Sequence, residues 1–166
     1  MSARKRLNRE LLDAVLMRDI AKARTLLKQG ANVNARDNEH DETPLMLAVR
    51  FADAAMVELL LNAGAEIDAR DDKGRTALFF ASALSESFKV ILETGADIHA
   101  KDNEGNSILL RRVAQAASVD EVEELLRLGI DPSLQNEDGE TAFDVAEKLG
   151  LVNVVERLKS LKVLCG

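Results

Sequence analysis

A short phrase that returns four times along the chain is the feature that most limits its possible folds. It reads Gly-Ala-Asn-Val-Asn-Ala-Arg-Asp from Gly30, and related versions begin at Gly64, Gly95 and Gly129, at intervals of 34, 31 and 34 residues. A second phrase, which opens with Thr or Ser, follows each copy at positions 43, 76, 107 and 141. Because the two phrases recur in step, we infer that the chain is built from repeated supersecondary units.

Each phrase predicts a helix boundary. The glycine follows an apolar run such as residues 57–61, at the left-handed C′ position that Gly adopts at the lowest cost. Thr and Ser are favoured N-caps, and Pro44 stands at a first helical position, where its missing N–H is harmless. Between the phrases, segments such as Asp71-Asp72-Lys73-Gly74 predict tight turns. With 3% aromatic residues, the chain favours closely packed helices over a sheet sandwich.

These phrases resemble the ankyrin repeat, in which a turn of the form Asp-x-x-Gly-x-Thr-Pro-Leu-His precedes two antiparallel helices and a closing Gly-Ala-Asp-Val-Asn. The resemblance implies an all-α ankyrin-repeat solenoid of five stacked helix-turn-helix units with projecting β-turn fingers. We expect a single domain, 1–166, with units at 7–36 (the N-terminal cap), 37–70, 71–101, 102–135 and 136–160 (the C-terminal cap), and a tail at 161–166. Both caps are expected to carry polar outer faces, supplied by Asp13, Lys22, Arg24, Glu147, Asn153, Glu156 and Lys159.

The chain also departs from the family pattern. The His that ends the family's Thr-Pro-Leu-His phrase is replaced in the four copies by Met46, Phe79, Leu110 and Asp144. Hydrophobic packing is therefore expected to replace the side-chain hydrogen bond between neighbouring turns. An extra residue within 38–42 predicts a bulged second finger. The third unit is two residues short at 84–87 and the fourth has one extra residue at 111–116, so both corners between helices are expected to be irregular.

Charge and composition restrict the function classes. Lys and Arg number 22 against 29 Asp and Glu, and the net charge of −7 repels polyphosphate, so no nucleic acid is expected as partner. No stretch approaches eighteen apolar residues, so no membrane partner is expected either. The single Cys165 excludes an internal disulfide and agrees with a reducing compartment. We expect a cytoplasmic protein, or a periplasmic or secreted one if an export signal has been removed.

Few residues suit catalysis or metal binding. His40 and His99 lie 59 positions apart in predicted turns, and Cys165 has no nearby His to activate it. The sequence contains no phosphate loop and no zinc-ligand spacing. The acidic second finger lacks the Gly and the bidentate Glu of a calcium loop. We therefore expect a non-enzymatic protein that needs no cofactor and no metal.

The resemblance implies that a partner protein binds the finger tips and the exposed flank of each first helix. Carried over to this sequence, the partner-binding positions are His40, Glu42, Arg50, Phe51, Lys73, Arg75, Leu84, Glu104 and Asn106. Phe51 and Leu84 are apolar where an ideal repeat is polar or small, so each either anchors a partner or fills an irregular corner. Phe79, Phe80 and Phe88 are expected in the core.

Within this class we favour a stoichiometric inhibitor or an immunity-type protector that acts as a monomer. A short array without an appended domain would act by occupying a partner's surface. An adaptor or scaffold is the alternative. A regulator that associates with nucleic acid through the basic residues Arg4, Lys5, Arg6 and Arg9 is a further alternative.

Overall fold

A computed structural model describes residues 3–51 and 53–162 of the chain. Within these ranges the helices are α1 Ala3–Leu16, α2 Ile20–Lys28, α3 Pro44–Arg50, α4 Ala54–Asn62, α5 Glu86–Glu93, α6 Ile108–Ala114, α7 Val119–Arg127, α8 Ala142–Lys148 and α9 Val152–Lys162. A short 3-10 helix, Ala77–Phe80, lies between α4 and α5. The described residues form no strand beyond an isolated bridge between Lys101 and Ser107. The predicted all-α class is confirmed.

The first compact unit, Met1–Asp97, stacks its helices in two rows. In one row α1 contacts α3, and α3 contacts the 3-10 helix; in the other, α2 contacts α4 and α4 contacts α5. Within each pair, the first helix contacts the second. The interior is aliphatic, with Leu11, Met56, Leu60 and Phe88 at most 1% exposed. Each helix pair therefore buries the apolar flank of the pair before it, as the repeated phrases predict.

The second compact unit, Ile98–Gly166, follows the same rule with two pairs. Here α6 contacts α7 and α8, and α9 contacts α7 and α8. Leu109, Val113, Leu125 and Ala146 are fully buried. The residues predicted as polar outer faces of the two caps are all exposed: Asp13, Lys22, Arg24, Glu147, Asn153, Glu156 and Lys159.

Helix ends follow the two phrases. The left-handed C′ glycine is observed four times, with φ between 87° and 101° at Gly30, Gly64, Gly95 and Gly129. The hydroxyls of Thr43, Ser107 and Thr141 each accept a hydrogen bond from the backbone N–H three residues ahead, as an N-cap does. The sequence-based boundaries are therefore confirmed at these positions.

The predicted third repeat, residues 71–101, departs from the expectation that Thr76 caps an α-helix. The chain forms only the 3-10 helix Ala77–Phe80, and the Phe79 N–H donates to the carbonyl of Thr76 at 3.1 Å instead of to its hydroxyl. That hydroxyl is buried with no partner among the described residues. One of the two missing residues explains the change: Thr76 lies nine positions before the next N-cap, Ser85, whereas Thr43 lies ten before Asp53, so the backbone is already extended at Ala81.

The other predicted irregularities are also observed. Asp41 in the second finger and Ala116 in the corner of the fourth unit adopt left-handed backbone, with φ of 58° and 57°. Of the residues that replace the family His, Met46, Phe79 and Leu110 are buried, as hydrophobic substitution requires. Asp144 instead accepts hydrogen bonds from the Thr141 N–H at 2.8 Å and the Thr141 hydroxyl at 2.6 Å, so this turn keeps a polar tie.

Candidate functional site

Three of the predicted binding residues meet in one ion-pair cluster beside the second finger. Glu42 directly precedes the N-cap of α3 and is 1% exposed. Its carboxylate pairs with the guanidinium of Arg50, at the end of α3, and lies 3.7 Å from that of Arg75. Arg75 also binds the buried Asp71 carboxylate, at 2.6 Å. Glu42 is therefore not itself a contact surface; it holds the two arginines in place.

Phe80 completes this cluster, although its sequence pattern predicts a core position. Its ring is only half-buried. The Arg50 and Arg75 guanidiniums lie 4.7 Å and 4.6 Å from its centroid, a distance at which cation–π attraction contributes about 0.5–2 kcal/mol. The short 3-10 helix ends at Phe80. Its aromatic neighbours Phe79 and Phe88 are buried as predicted.

Phe51 and Leu84, the two residues with alternative readings, are both exposed. Phe51 is the C-cap of α3 and is 41% exposed; Leu84, in the turn before α5, is 51% exposed. In contrast, the apolar side chains of α3 from Leu45 to Val49 are buried. Phe51 and Leu84 therefore expose apolar surface at the corners between the helices of a pair.

Two further exposed side chains of the first unit, Leu16 and Met17, are missing from the predicted set. Met17 precedes the N-cap Asp19 of α2 by two residues, just as Phe51 precedes the N-cap Asp53 of α4. Alignment of the second-helix N-caps would have identified it. Since α1 packs against α3 and α3 against the 3-10 helix, we call Met17, Phe51 and Leu84 the corner row.

The finger tips of the first unit carry His40 and Lys73, both exposed. The Asp72 N–H donates to the His40 carbonyl at 3.1 Å, which joins the two fingers through the backbone. The imidazole Nδ1 of His40 also lies 4.0 Å from the Asp72 carboxylate. Each finger is braced internally, since the first Asp, Asp37 or Asp71, accepts hydrogen bonds from backbone N–H groups further along its own turn. The tips therefore stand on a fixed backbone.

The remaining predicted residues, Glu104 and Asn106, lie in the second unit. Asn106 is buried, and its amide donates to Asp102 at 3.1 Å and to Glu104 at 3.0 Å, while its carbonyl accepts from Asn136 at 3.2 Å. Glu104 is exposed, with its carboxylate 3.9 Å from Arg111. Asn106 thus positions the finger, and Glu104 is the group that solvent reaches.

A sequence model of ankyrin repeats matches residues 11–102 as three copies. Stacked helix pairs, left-handed closing glycines and backbone-linked fingers agree with that match over the same residues. The chain belongs to the ankyrin repeat family. The count of five units stays a prediction, since the match covers three. None of the curated proteins matches this sequence.

Ankyrin repeats are protein–protein interaction modules, in general without enzymatic activity, so a protein is the class of partner that the family indicates. Across residues 3–51 and 53–162, no group of three His, Cys, Asp or Glu side chains is arranged to hold a metal ion. In the same ranges, no helix has the length and apolar character needed to cross a bilayer. Cys165 lies outside the described residues.

Proposed function

We propose that this ankyrin-repeat chain binds a partner protein through the corner row and the adjoining arginine cluster of its first unit. The observation that carries the proposal is the exposure of Phe51 and Leu84 beside otherwise buried helix faces. Aromatic side chains bury roughly 200 Å², so covering the 41% of Phe51 that is exposed removes about 80 Å² from water, worth about 2 kcal/mol. That is the magnitude of a binding hot spot.

The arginine cluster favours the same face because its side chains are already fixed. Arg50 is held by Glu42, and Arg75 by Glu42 and Asp71, with the Phe80 ring against both guanidiniums. A partner that docks here orders few additional side chains, and so loses little conformational entropy. At the exposed finger tips of the same compact unit, Asp72 and Lys73 supply charges of both signs that steer a partner with the opposite pattern.

Binding of this kind acts by occupancy. We infer that the chain works as a stoichiometric inhibitor or protector, which covers a functional surface of its partner without a chemical step. A rigid face with apolar anchors suits this role, since one tight complex is sufficient. An adaptor instead requires a second partner on a separate face. The two modes differ in whether the complex with the first partner loses activity or recruits a third protein.

Affinity purification at low salt, followed by mass spectrometry and calorimetry of the recovered pair, tests the proposal. Phe51→Asp and Leu84→Asp should each weaken the complex by at least tenfold, because a carboxylate replaces an anchor. Leu149→Asp is the matched control, since Leu149 is also 51% exposed but lies in the second unit. It should leave affinity unchanged. Recovery of no stable partner, or equal affinity for all three variants, contradicts the proposed face.

A further inference from the structure

The first helix of the chain occupies positions that belong to a finger in later repeats. α1 has 14 residues, whereas α3, α6 and α8 have seven each. Alignment of the second-helix N-caps Asp19 and Asp53 places residues 3–8 in register with the finger 37–42. This finger therefore has a helix on one side, and on its other side the finger 71–75, to which it is joined through the backbone.

A cleft of about 850 Å³ opens between α1, the finger 37–42 and α3. Its apolar lining includes Leu12, Leu16 and Leu47. The α1 wall contributes Arg9, and the finger wall contributes Asn38. The cleft therefore combines an apolar surface with a main-chain edge and a charged helix, which suits a polypeptide segment better than a small apolar molecule.

The finger edge that faces the cleft has an available hydrogen-bond donor. In each of the two compact units, one finger donates a backbone N–H to the finger before it. The Asp72 N–H donates to the His40 carbonyl at 3.1 Å, and the Glu137 N–H donates to the Glu104 carbonyl at 3.0 Å. Asn38 is the equivalent position in the finger 37–42, one residue after the Asp that braces the turn. Among the described residues, none accepts from its N–H. At the equivalent positions of later fingers, this donor binds a backbone carbonyl at the tip of the preceding finger.

The charge of the α1 wall indicates which kind of polypeptide segment fits the cleft. Residues 3–9 hold four cations and no acid, and Arg4, Lys5, Arg6 and Arg9 are all exposed. Arg6 pairs with Glu10 at 3.3 Å, which leaves an excess of three positive charges. Two acids in the cleft lining are already engaged: Glu42 by Arg50, and Asp37 by backbone N–H groups of its own finger. Asp13 and Glu39 also line the cleft, so the excess of positive charge is confined to the N-terminal half of α1. An acidic turn complements that half.

We propose that the cleft binds an acidic turn of the partner protein, seated as an additional finger beside residues 37–42. Its main-chain carbonyl accepts from the Asn38 N–H, its carboxylates face Arg9 and Lys5, and an apolar side chain covers Leu16, the exposed leucine of the cleft lining. This inference rests on the proposed function and names the chemistry of one partner element. It adds a second contact region to the corner row, where Phe51 and Leu84 lie.

The probe is a cyclised peptide with the sequence Asn-Glu-Asp-Gly-Glu, the tip of this chain's own acidic finger at 136–140. Calorimetry or amide-shift titration against the full chain should show binding that weakens between about 50 and 200 mM salt, since exposed charges are screened. A cyclised Asn-Lys-Lys-Gly-Lys should not bind. Equal binding of the two peptides, or binding of neither, overturns the proposal.

Two kinds of variant locate the peptide. Lys5→Glu with Arg9→Glu should weaken its binding at least tenfold, whereas Lys22→Glu with Arg24→Glu, an equal charge change on exposed α2 positions, should not. Asn38→Pro removes the donor and should weaken binding similarly; if it unfolds the chain, the charge variants still decide. Shift changes confined to residues outside the cleft contradict the assignment. So does tighter binding of a single-stranded oligonucleotide of equal charge, which would indicate a polyanion site.

Failure of this inference is distinguishable from failure of the proposed function. Phe51→Asp should leave binding of the cyclised peptide unchanged, because the corner row is outside the proposed seat. If a purified partner complex is weakened by Phe51→Asp but not by the Lys5 and Arg9 charge reversals, the acidic turn is wrong and the proposed function stands. If the peptide promotes or blocks concentration-dependent self-association of the chain, the occupant is a second copy and the partner assignment is wrong.

Discussion

Arg75 and Arg50 contact the same buried carboxylate but should differ sharply in their contribution to stability. Arg75 is 14% exposed at its side chain and binds both Glu42 and Asp71. Arg50 is 40% exposed and pairs only with Glu42 in this cluster. The perturbation to compare is Arg→Met at each site, because Met keeps the aliphatic stem and removes the charge.

The magnitudes follow from which carboxylates lose their partner. Arg75→Met removes the side-chain cation of Asp71, whose side chain is 0% exposed, and breaking a buried pair costs about 3–5 kcal/mol. Arg50→Met removes the closest cation of the buried Glu42 carboxylate but leaves Arg75 at 3.7 Å, so this loss should be smaller, about 1–3 kcal/mol. Each variant also loses one cation–π contact with Phe80, of similar size in the two cases. Arg75→Met should therefore be about 2 kcal/mol less stable than Arg50→Met.

Urea unfolding followed by circular dichroism measures the difference, provided that the slope of the free energy of unfolding with urea is the same in both variants. The Phe80→Leu background is the control for the ring contact, and the gap between the arginine variants should persist there. Equal midpoints for Arg50→Met and Arg75→Met would refute the reasoning, because the pairing of Arg75 with the buried Asp71 would then contribute no more than the pairing of Arg50 with Glu42.

Two further predictions concern the repeat architecture. Gly105→Ala should destabilise more than Gly139→Ala: both have φ near 75°, which costs L residues about 1–2 kcal/mol, but only at Gly105 would the new Cβ meet the Glu137 nitrogen, at 3.1 Å. Equal losses in urea unfolding would contradict the close packing of these fingers. Leu60→Ala, at a fully buried position, should cost about 2–5 kcal/mol, against at most about 0.5 for the exposed Glu147→Ala. Comparable midpoints for that pair would contradict the assigned register of α4.

Much of the fold could be predicted because its signals are local. A left-handed Gly such as Gly64 and an N-cap such as Thr43 act within one turn of backbone, so the residues that specify the boundary also form it. The failure at Thr76 has a non-local cause. The cap residue is correct, but the segment from Thr76 to the N-cap Ser85 is one residue shorter than the segment from Thr43 to Asp53, so the first helix is short. The Phe79 N–H donates to the Thr76 carbonyl instead of to the Thr76 hydroxyl.

For the candidate site, the sequence predicted which residues take part but not what each of them does. The repeat register predicted Glu42, Arg50 and Arg75 as binding residues, but only the structure shows their different exposure. Glu42 is buried and holds the two arginines in place, whereas the Arg50 guanidinium is accessible to solvent. Phe80 was assigned to the core because its type is apolar. The structure exposes part of its ring because the short 3-10 helix ends there and the two arginines cover it.

By itself the sequence determined that the chain is an all-α stack of ankyrin repeats, since periodic apolar runs, caps and turn glycines specify helices and their ends through nearest neighbours along the chain. Only the tertiary structure decided which corner side chains remain outside and where a cleft opens. Those outcomes depend on how α1, α3 and the 3-10 helix pack against one another across about thirty residues of sequence. Burial is a property of the packed neighbours, and no single repeat contains it.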